Sequence, residues 1–192
     1  MRAQTKPVFI HERALCESDD VGGGTRIWAF AHVMRGAHVG AECNIGDHAF
    51  IETGAFVGDR VTIKNAVLVW DRVRIEDDVF VGPNVVFTND PNPRAAFKKP
   101  ASRFVPTLVE RGATLGANAS IVCGVTIGAH AFVGAGAVVA KNVLAHAVVV
   151  GNPAHRIGWM CACGGKLDRR LRCACGRGYR RQRGAGLSEL EA

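Results

Sequence analysis

The sequence predicts an all-β solenoid, a stack of short parallel strands, with one extruded loop and a small cysteine knuckle near its end. Three observations carry this. From Val21 to Phe87 every sixth residue is apolar: Val21, Ile27, Val33, Val39, Ile45, Ile51, Val57, Ile63, Val69, Ile75, Val81 and Phe87, all but the last β-branched. Four residues after each of the first eleven comes a small residue or Val, from Thr25, Ala31, Ala37 and Cys43 through Ala49 and Ala55 to Val61, Val67, Val73, Val79 and Val85. The same two slots restart in a new phase at Val109 and run through Leu115, Ile121, Ile127, Val133, Val139 and Ala145, with Val143 and Val149 in the small slot.

A period of six matches neither the three-four-seven stripe of an amphipathic helix nor a long alternation without turns. It matches short strands separated by bends, in which β-branched residues fill the inward slots and each repeat covers its apolar face only with its neighbours. Gly22, Gly40, Gly46, Gly58 and Gly82 follow inward slots and are read as marks of sharp turns. Phe9 and Leu15 share the phase, so the stack is expected to begin near Pro7. The break after Phe87 becomes a loop over 88–108. The resulting division is a solenoid over 1–158, a four-cysteine tail over 159–183 and a flexible end over 184–192.

Composition limits the function classes. The net charge is +7, but residues 156 to 183 hold nine Arg or Lys against Asp168 alone, which leaves the solenoid almost neutral. With a single Tyr and no aromatics interleaved among the basic residues, nucleic-acid binding is not the expected use of that charge. The weakly polar stretch from Ala131 to Gly151 stays in phase and carries Lys141, Asn142 and His146, which argues against a membrane span. The opening MRAQTKPVFIHERAL lacks the apolar run of a secretory leader, so the cytoplasm is the expected location. There, Cys161-Ala-Cys163 and Cys173-Ala-Cys175, each followed by Gly, read as two knuckles aiming four sulfurs at one structural Zn²⁺, with free thiols and disulfides as the alternatives.

Candidate chemistry is concentrated in one region. Trp28, Phe30 and His32 fall between inward slots and should point outward, for subunit packing or for ligand stacking. His48 is a candidate general base, and on an 18-residue coil it should stack near Ala66 and Asn84, with Glu52 near Trp70. Trp70-Asp71 sets an aromatic plane beside a carboxylate. One coil later, Gly82-Pro83-Asn84 and Phe87-Thr88-Asn89-Asp90 lead into the loop, and such amides and carboxylates can hold sugar hydroxyls and an amine. They can equally be turn formers.

The segment DHAFIETGAFVGDRVTIKNAVLVWDRVRIEDDVFVGPNVVFTND, followed by PR, resembles the hexapeptide-repeat transferases, and within them the nucleotide-linked 3-amino-sugar N-acetyltransferases. The resemblance covers about residues 7 to 160 and implies a left-handed parallel β-helix, homotrimers and a groove between subunits. It implies acetyl-CoA as co-substrate and a dTDP-linked 3-amino-3,6-dideoxyhexose or a UDP-linked 3-amino sugar as acceptor, for surface-glycan (lipopolysaccharide) biosynthesis. By this resemblance Asn89 and Asp90 lie against the amine, His48 acts as base or orienter, and Glu52, Trp70, Asp71 and Asn84 line the groove. Arg94 is the nearest cation for a uronate carboxylate. Gly116, Ala117, Gly134 and Ala135 offer small residues for the pantetheine arm, Pro153 lies beside them, and Lys141 and Arg156 meet the CoA phosphates. A non-catalytic scaffold and an O-acyltransferase on another small acceptor are the competing expectations. A three-histidine metal site is not expected, because His32 and His38 fall on different faces.

Overall fold

A computed structural model describes residues 6 to 190. The chain winds as a parallel β-solenoid with three faces. The first face stacks nine strands, from Phe9–Ile10 and Arg26–Ile27 up to Phe132–Val133, Ala147–Val150 and His155–Trp159. The second stacks seven, including Phe50–Ile51, Leu68–Val69, Val86–Phe87 and Ser120–Ile121. The third stacks five, from His38–Val39 to Thr126–Ile127, and single bridges at Val21 and Val143 extend it at both ends.

Each inner coil takes 18 residues, so Ile27 pairs with Ile45 and Ile45 with Ile63. These residues, and their equivalents on the other faces, are completely buried, and the small slot from Ala31 to Val85 is buried beside them. A continuous aliphatic column results, which no single coil could shield alone. The glycines after the inward slots serve a different purpose from the one expected. A Cβ on Gly46 would lie 2.9 Å from the Asn65 nitrogen, and one on Gly82 2.7 Å from the Ala117 nitrogen, so the neighbouring coil excludes any side chain. The sharp bend comes two residues later, at left-handed residues such as His48 (φ 59°) and Asn84 (φ 56°).

The phase departs from the expected one at both ends. Ile10 and Cys16, not Phe9 and Leu15, pair with the inward Ile27 and Val33, because the first coil is one residue short; Phe9, Ile10 and Leu15 are all about half exposed at this open end of the stack. At the far end Val143 pairs with Ile127 and Val149 with Val133, two residues ahead of the expected register, and Ala145 leaves the inner slot. The loop is also shorter than expected: Thr107 and Leu108 already belong to the strand Thr107–Val109, which pairs in register with Val73–Ile75. The solenoid thus continues across the insertion without a slip.

Beyond the hairpin of Ala147–Val150 and His155–Trp159, residues 160 to 190 fold against the last coil. Where a flexible end from residue 184 was expected, Gly186–Glu189 forms a hairpin with Tyr179–Gln182. No helix among the described residues is long and apolar enough to cross a membrane.

Candidate active site

The edge between the second and third faces gathers most of the candidate acceptor residues. Glu52 Oε2 accepts the Asp71 backbone N–H at 2.7 Å, so one carboxylate fixes the turn that carries the other. Trp70, one coil above Glu52, packs its ring 5.6 Å from Phe50 and donates its Nε1–H to the Phe87 carbonyl at 3.0 Å. Thr88 Oγ1 accepts the Cys123 N–H at 2.9 Å and ties the start of the loop to the coil above. The loop is closed at its neck, where the Val105 N–H donates to the Asn89 carbonyl at 2.8 Å. The Asn89 side-chain amide has no hydrogen-bond partner among the described residues and is only half-buried. It is a free donor and acceptor on a fixed backbone.

Asp90 is committed differently from what the sequence suggested. Its Oδ1 accepts from Lys99 Nζ at 2.6 Å and from the Asn92 N–H at 2.9 Å, while Lys99 also donates to the Asn92 carbonyl at 2.8 Å. The Lys99 hydrogen bond holds the Asp90 carboxyl below the usual carboxylate range, with the Asn92 N–H adding to the effect. Asp90 is therefore an anion that folds the loop on itself. Lys99 was missed because a loop has no period that would link residues nine apart. Arg94 is exposed at the loop surface, where among the described residues its guanidinium donates only to the adjacent Pro93 carbonyl at 3.3 Å.

His48 and Asn84 do not join this group. They stand on the edge between the first and second faces, in the column Phe30, His48, Ala66, Asn84 that the 18-residue period anticipates. The His48 ring stacks on Phe30 at 4.9 Å and 14°. From there the second face must be crossed to reach Glu52, four residues of extended chain or about 13 Å. One chain thus carries the candidate residues as two sets, on opposite edges of one face. Of the outward aromatics, Trp28 and Phe30 are 37% and 51% exposed, and His32 is paired with Glu17 at 2.9 Å.

The donor candidates also divide. Gly116, Ala117, Gly134 and Ala135 continue the His48 edge upward, but a Cβ on Gly116 would fall 2.5 Å from the Ala135 nitrogen and one on Gly134 would fall 2.7 Å from Val150 Cγ1. Coil stacking accounts for these glycines; Ala135 remains exposed to a ligand. Lys141 and Arg156 line one cavity of about 220 Å³ at the end of the last coil, with Asn142, Leu144 and Ala154. Pro153 sits, after a cis peptide bond, in the exposed turn above it. The Arg156 guanidinium lies 4.4 Å over the Trp159 ring, and both residues also line a cavity of about 410 Å³ with Arg181 and Arg183 of the tail. Those two arginines had no signal beyond the general basicity of the segment.

The four tail cysteines converge, with all sulfurs within 4.8 Å of one another, so this set could hold a metal ion. It lies at the end of the solenoid, in the segment that covers the last coil, and the loop belongs to a coil well below it.

A family model described as bacterial transferase hexapeptide (six repeats) matches residues 106–141. The chain is 45% identical over 183 residues, 94% of each chain, to dTDP-3-amino-3,6-dideoxy-alpha-D-galactopyranose 3-N-acetyltransferase of Aneurinibacillus thermoaerophilus. Among solved structures, the acetyltransferase domain of PglB from Neisseria gonorrhoeae FA1090 in complex with acetyl coenzyme A superposes with a TM-score of 0.53 at 21% identity, over 80% of this chain. A second structure of the same domain gives 0.52, also at 21% identity and 80% coverage. This chain spans 58% of the length of either, and the likeness there is one of fold. With the solenoid repeat, the loop and the near-full-length similarity taken together, the chain belongs to the bacterial hexapeptide-repeat transferases, in the group that includes the Aneurinibacillus amino-sugar N-acetyltransferase.

Proposed function

We propose that the protein transfers an acetyl group from acetyl-CoA to the 3-amino group of a dTDP-linked 3-amino-3,6-dideoxyhexose. The observation that carries this reading is the 45% identity to an enzyme of that specificity across 94% of both chains. The unengaged amide of Asn89 at a loop neck closed on both sides supports it from the geometry.

The chemistry asks little of the protein beyond position. The neutral sugar amine attacks the thioester carbonyl, the tetrahedral intermediate loses CoA as its thiolate, and the proton shed by nitrogen ends on that sulfur. Asn89 accepts an amine N–H and sets the direction of attack. Asp90 Oδ1 is taken by Lys99 and the Asn92 N–H, which leaves Oδ2 as the acceptor it offers to the amine. Backbone N–H groups of the coil are the available donors for the oxyanion.

The two separated sets of residues support a homotrimer, in which the His48 and Asn84 edge of one copy faces the loop of the next. Phe97, 77% exposed on that loop, is an apolar contact suited to such a neighbour. The reading locates the enzyme in the cytoplasm, supplying an activated sugar for a surface glycan.

The test is thiol release from acetyl-CoA with a panel of dTDP- and UDP-linked 3-amino and 4-amino sugars. Turnover with a dTDP-linked 3-amino sugar, reduced about a hundredfold in Asn89→Ala, is the expected result. Absence of turnover with every sugar while CoA binds overturns the acceptor; absence of CoA binding overturns acyl transfer itself and favours a scaffold. For the trimer, subunits carrying His48→Ala are mixed and reassembled with subunits carrying Asn89→Ala. Activity regained in the mixture supports a shared site, and none regained, with trimers formed, refutes it.

A further inference from the structure

The tail poses a problem of stability that its own apolar residues do not solve. Its buried cluster consists of Cys161, Cys173, Tyr179 and Leu187, with Trp159, Leu167 and Leu171 packed against it. Segments of fewer than about 40 residues usually need a disulfide, a metal or a partner to hold a fold. All seven cysteines of the chain are free thiols.

We propose that Cys161, Cys163, Cys173 and Cys175 form a tetrathiolate Zn²⁺ site that locks the basic tail onto the last coil of the solenoid. The proposal is independent of the acyl-transfer reading. Two turns of the same construction supply the ligands. Gly164 N–H donates to the Cys161 carbonyl and Cys161 N–H to the Gly165 carbonyl, at 2.9 and 2.8 Å; Gly176 and Cys173, with the Arg177 carbonyl, repeat both bonds at 3.0 and 2.9 Å. Gly164 and Gly176 carry the left-handed φ values, 85° and 94°, that such turns require. Four sulfurs at about 2.3 Å from a tetrahedral Zn²⁺ lie about 3.8 Å apart. Cys161 to Cys175 and Cys163 to Cys173 are each 3.6 Å, one contact between the two turns in each case.

Two neighbouring side chains are placed to face the sulfurs. The Tyr179 hydroxyl accepts the Ala162 N–H at 3.0 Å and sits 3.1 Å from Cys161 Sγ, within reach to donate its proton to a metal-bound thiolate there. Arg177 brings a guanidinium 3.7 Å from Cys175 Sγ and offsets part of the net −2 charge of a zinc tetrathiolate. A Cβ on Gly165 would lie 2.8 Å from Cys173 Sγ, so the turn is built to let the sulfurs close. Cys161 and Cys173 are buried while Cys163 and Cys175 face solvent, which gives an ion a way in.

The locked element then covers the open end of the stack. Leu187 N–H donates to the Ala145 carbonyl at 3.3 Å and Ala145 N–H to the Ala185 carbonyl at 3.2 Å, satisfying backbone groups that a bare solenoid end would expose. Gly186 lies so close against Ala145 that no side chain fits between them. The Tyr179 ring packs 4.7 Å from His146 of the last coil. Metal, tyrosine and final coil form one connected body.

The full-length protein, purified without added metal, is expected to contain about one zinc per chain by elemental mass spectrometry, falling well below that in Cys163→Ser and Cys175→Ser and unchanged in Cys16→Ser. Exchange with Co²⁺ should give the intense visible bands of tetrahedral cobalt thiolate. Chelator treatment of the unmutated protein should open residues 160 to 190 to limited proteolysis while the solenoid stays resistant, a result that does not depend on any variant folding. The proposal is overturned if the protein holds no metal and takes up neither Zn²⁺ nor Co²⁺. Iron in place of zinc, two disulfides among these cysteines, or zinc content indifferent to Cys163→Ser would overturn it equally.

Discussion

Two tryptophans donate the same hydrogen bond in different surroundings. Trp70 Nε1 reaches the Phe87 carbonyl at 3.0 Å, and Phe87 is 1% exposed; Trp28 Nε1 reaches Asn44 Oδ1 at 2.9 Å on the surface. Changing Trp70 to Phe keeps an aromatic plane but leaves a carbonyl without a partner where water does not easily reach. An unsatisfied buried acceptor costs about 1–3 kcal/mol, and for a chain of this size that lowers the melting midpoint by about 6 °C. Trp28→Phe returns its partner to water and should cost less than about 0.5 kcal/mol. Because the Phe87 carbonyl immediately precedes Thr88 and Asn89, Trp70→Phe should also lower kcat/KM for the amino sugar, while Trp28→Phe should not. Calorimetric melts of both variants, with thiol-release kinetics, decide the matter. Equal destabilisation by the two, or a Trp70→Phe protein that melts and turns over as the parent does, would refute the assignment of the Trp70 bond as the anchor of the loop.

Ile63, wholly buried between Ile45 and Val81, should cost about 2–5 kcal/mol as Ile63→Ala and about 0.5–1.5 kcal/mol as Ile63→Val; thermal melts showing equal losses would contradict the packed column. Lys99→Met frees Asp90 and should lower kcat/KM by about tenfold through the loosened loop, with the melting midpoint unchanged, so a shift in midpoint without loss of activity argues against the loop staple. Burial lowers the His130 and His146 pKa values from the ordinary 6.5, and for His130 the neighbouring His146 and Arg111 add to it, against Glu189 and Asp78. Since the unfolded chain then binds more protons, the stability of the neutral rings is complete above about pH 6.5 and is lost as pH falls below it. Melting midpoints should therefore drop between about pH 7.5 and 5.5, less steeply in His130→Gln, and a flat profile over that window refutes the argument.

The column was legible because every inner slot recurs at a fixed interval and takes only residues that suit a buried strand. From Ile27 to Phe87 the reading and the structure agree residue by residue. It failed where a coil changes length: a first coil one residue short puts Ile10, not Phe9, in register with Ile27, and the last moves Val143 and Val149. A six-residue count has no means of sensing a deletion at a terminus where several apolar residues compete for the slot. The same limit applies to the site. The period correctly stacks His48 with Asn84, yet it says nothing of which edge a ligand meets; it is the family resemblance, not the count, that joins His48 to Asn89 across a groove between subunits. Lys99 and the strand Gly186–Glu189 were hidden because their partners, Asp90 and Ala145, are related to them by no repeat.

The in-register pairing of Val73–Ile75 with Thr107–Val109 means that the scaffold does not register how many residues lie between Phe87 and Thr107. Since doubling a flexible loop costs only about 0.6 kcal/mol in closure entropy, this segment can be lengthened, shortened or exchanged at almost constant stability. Architecture is thereby uncoupled from the insert: an engineer could graft a different one at the same corner without redesigning a single coil.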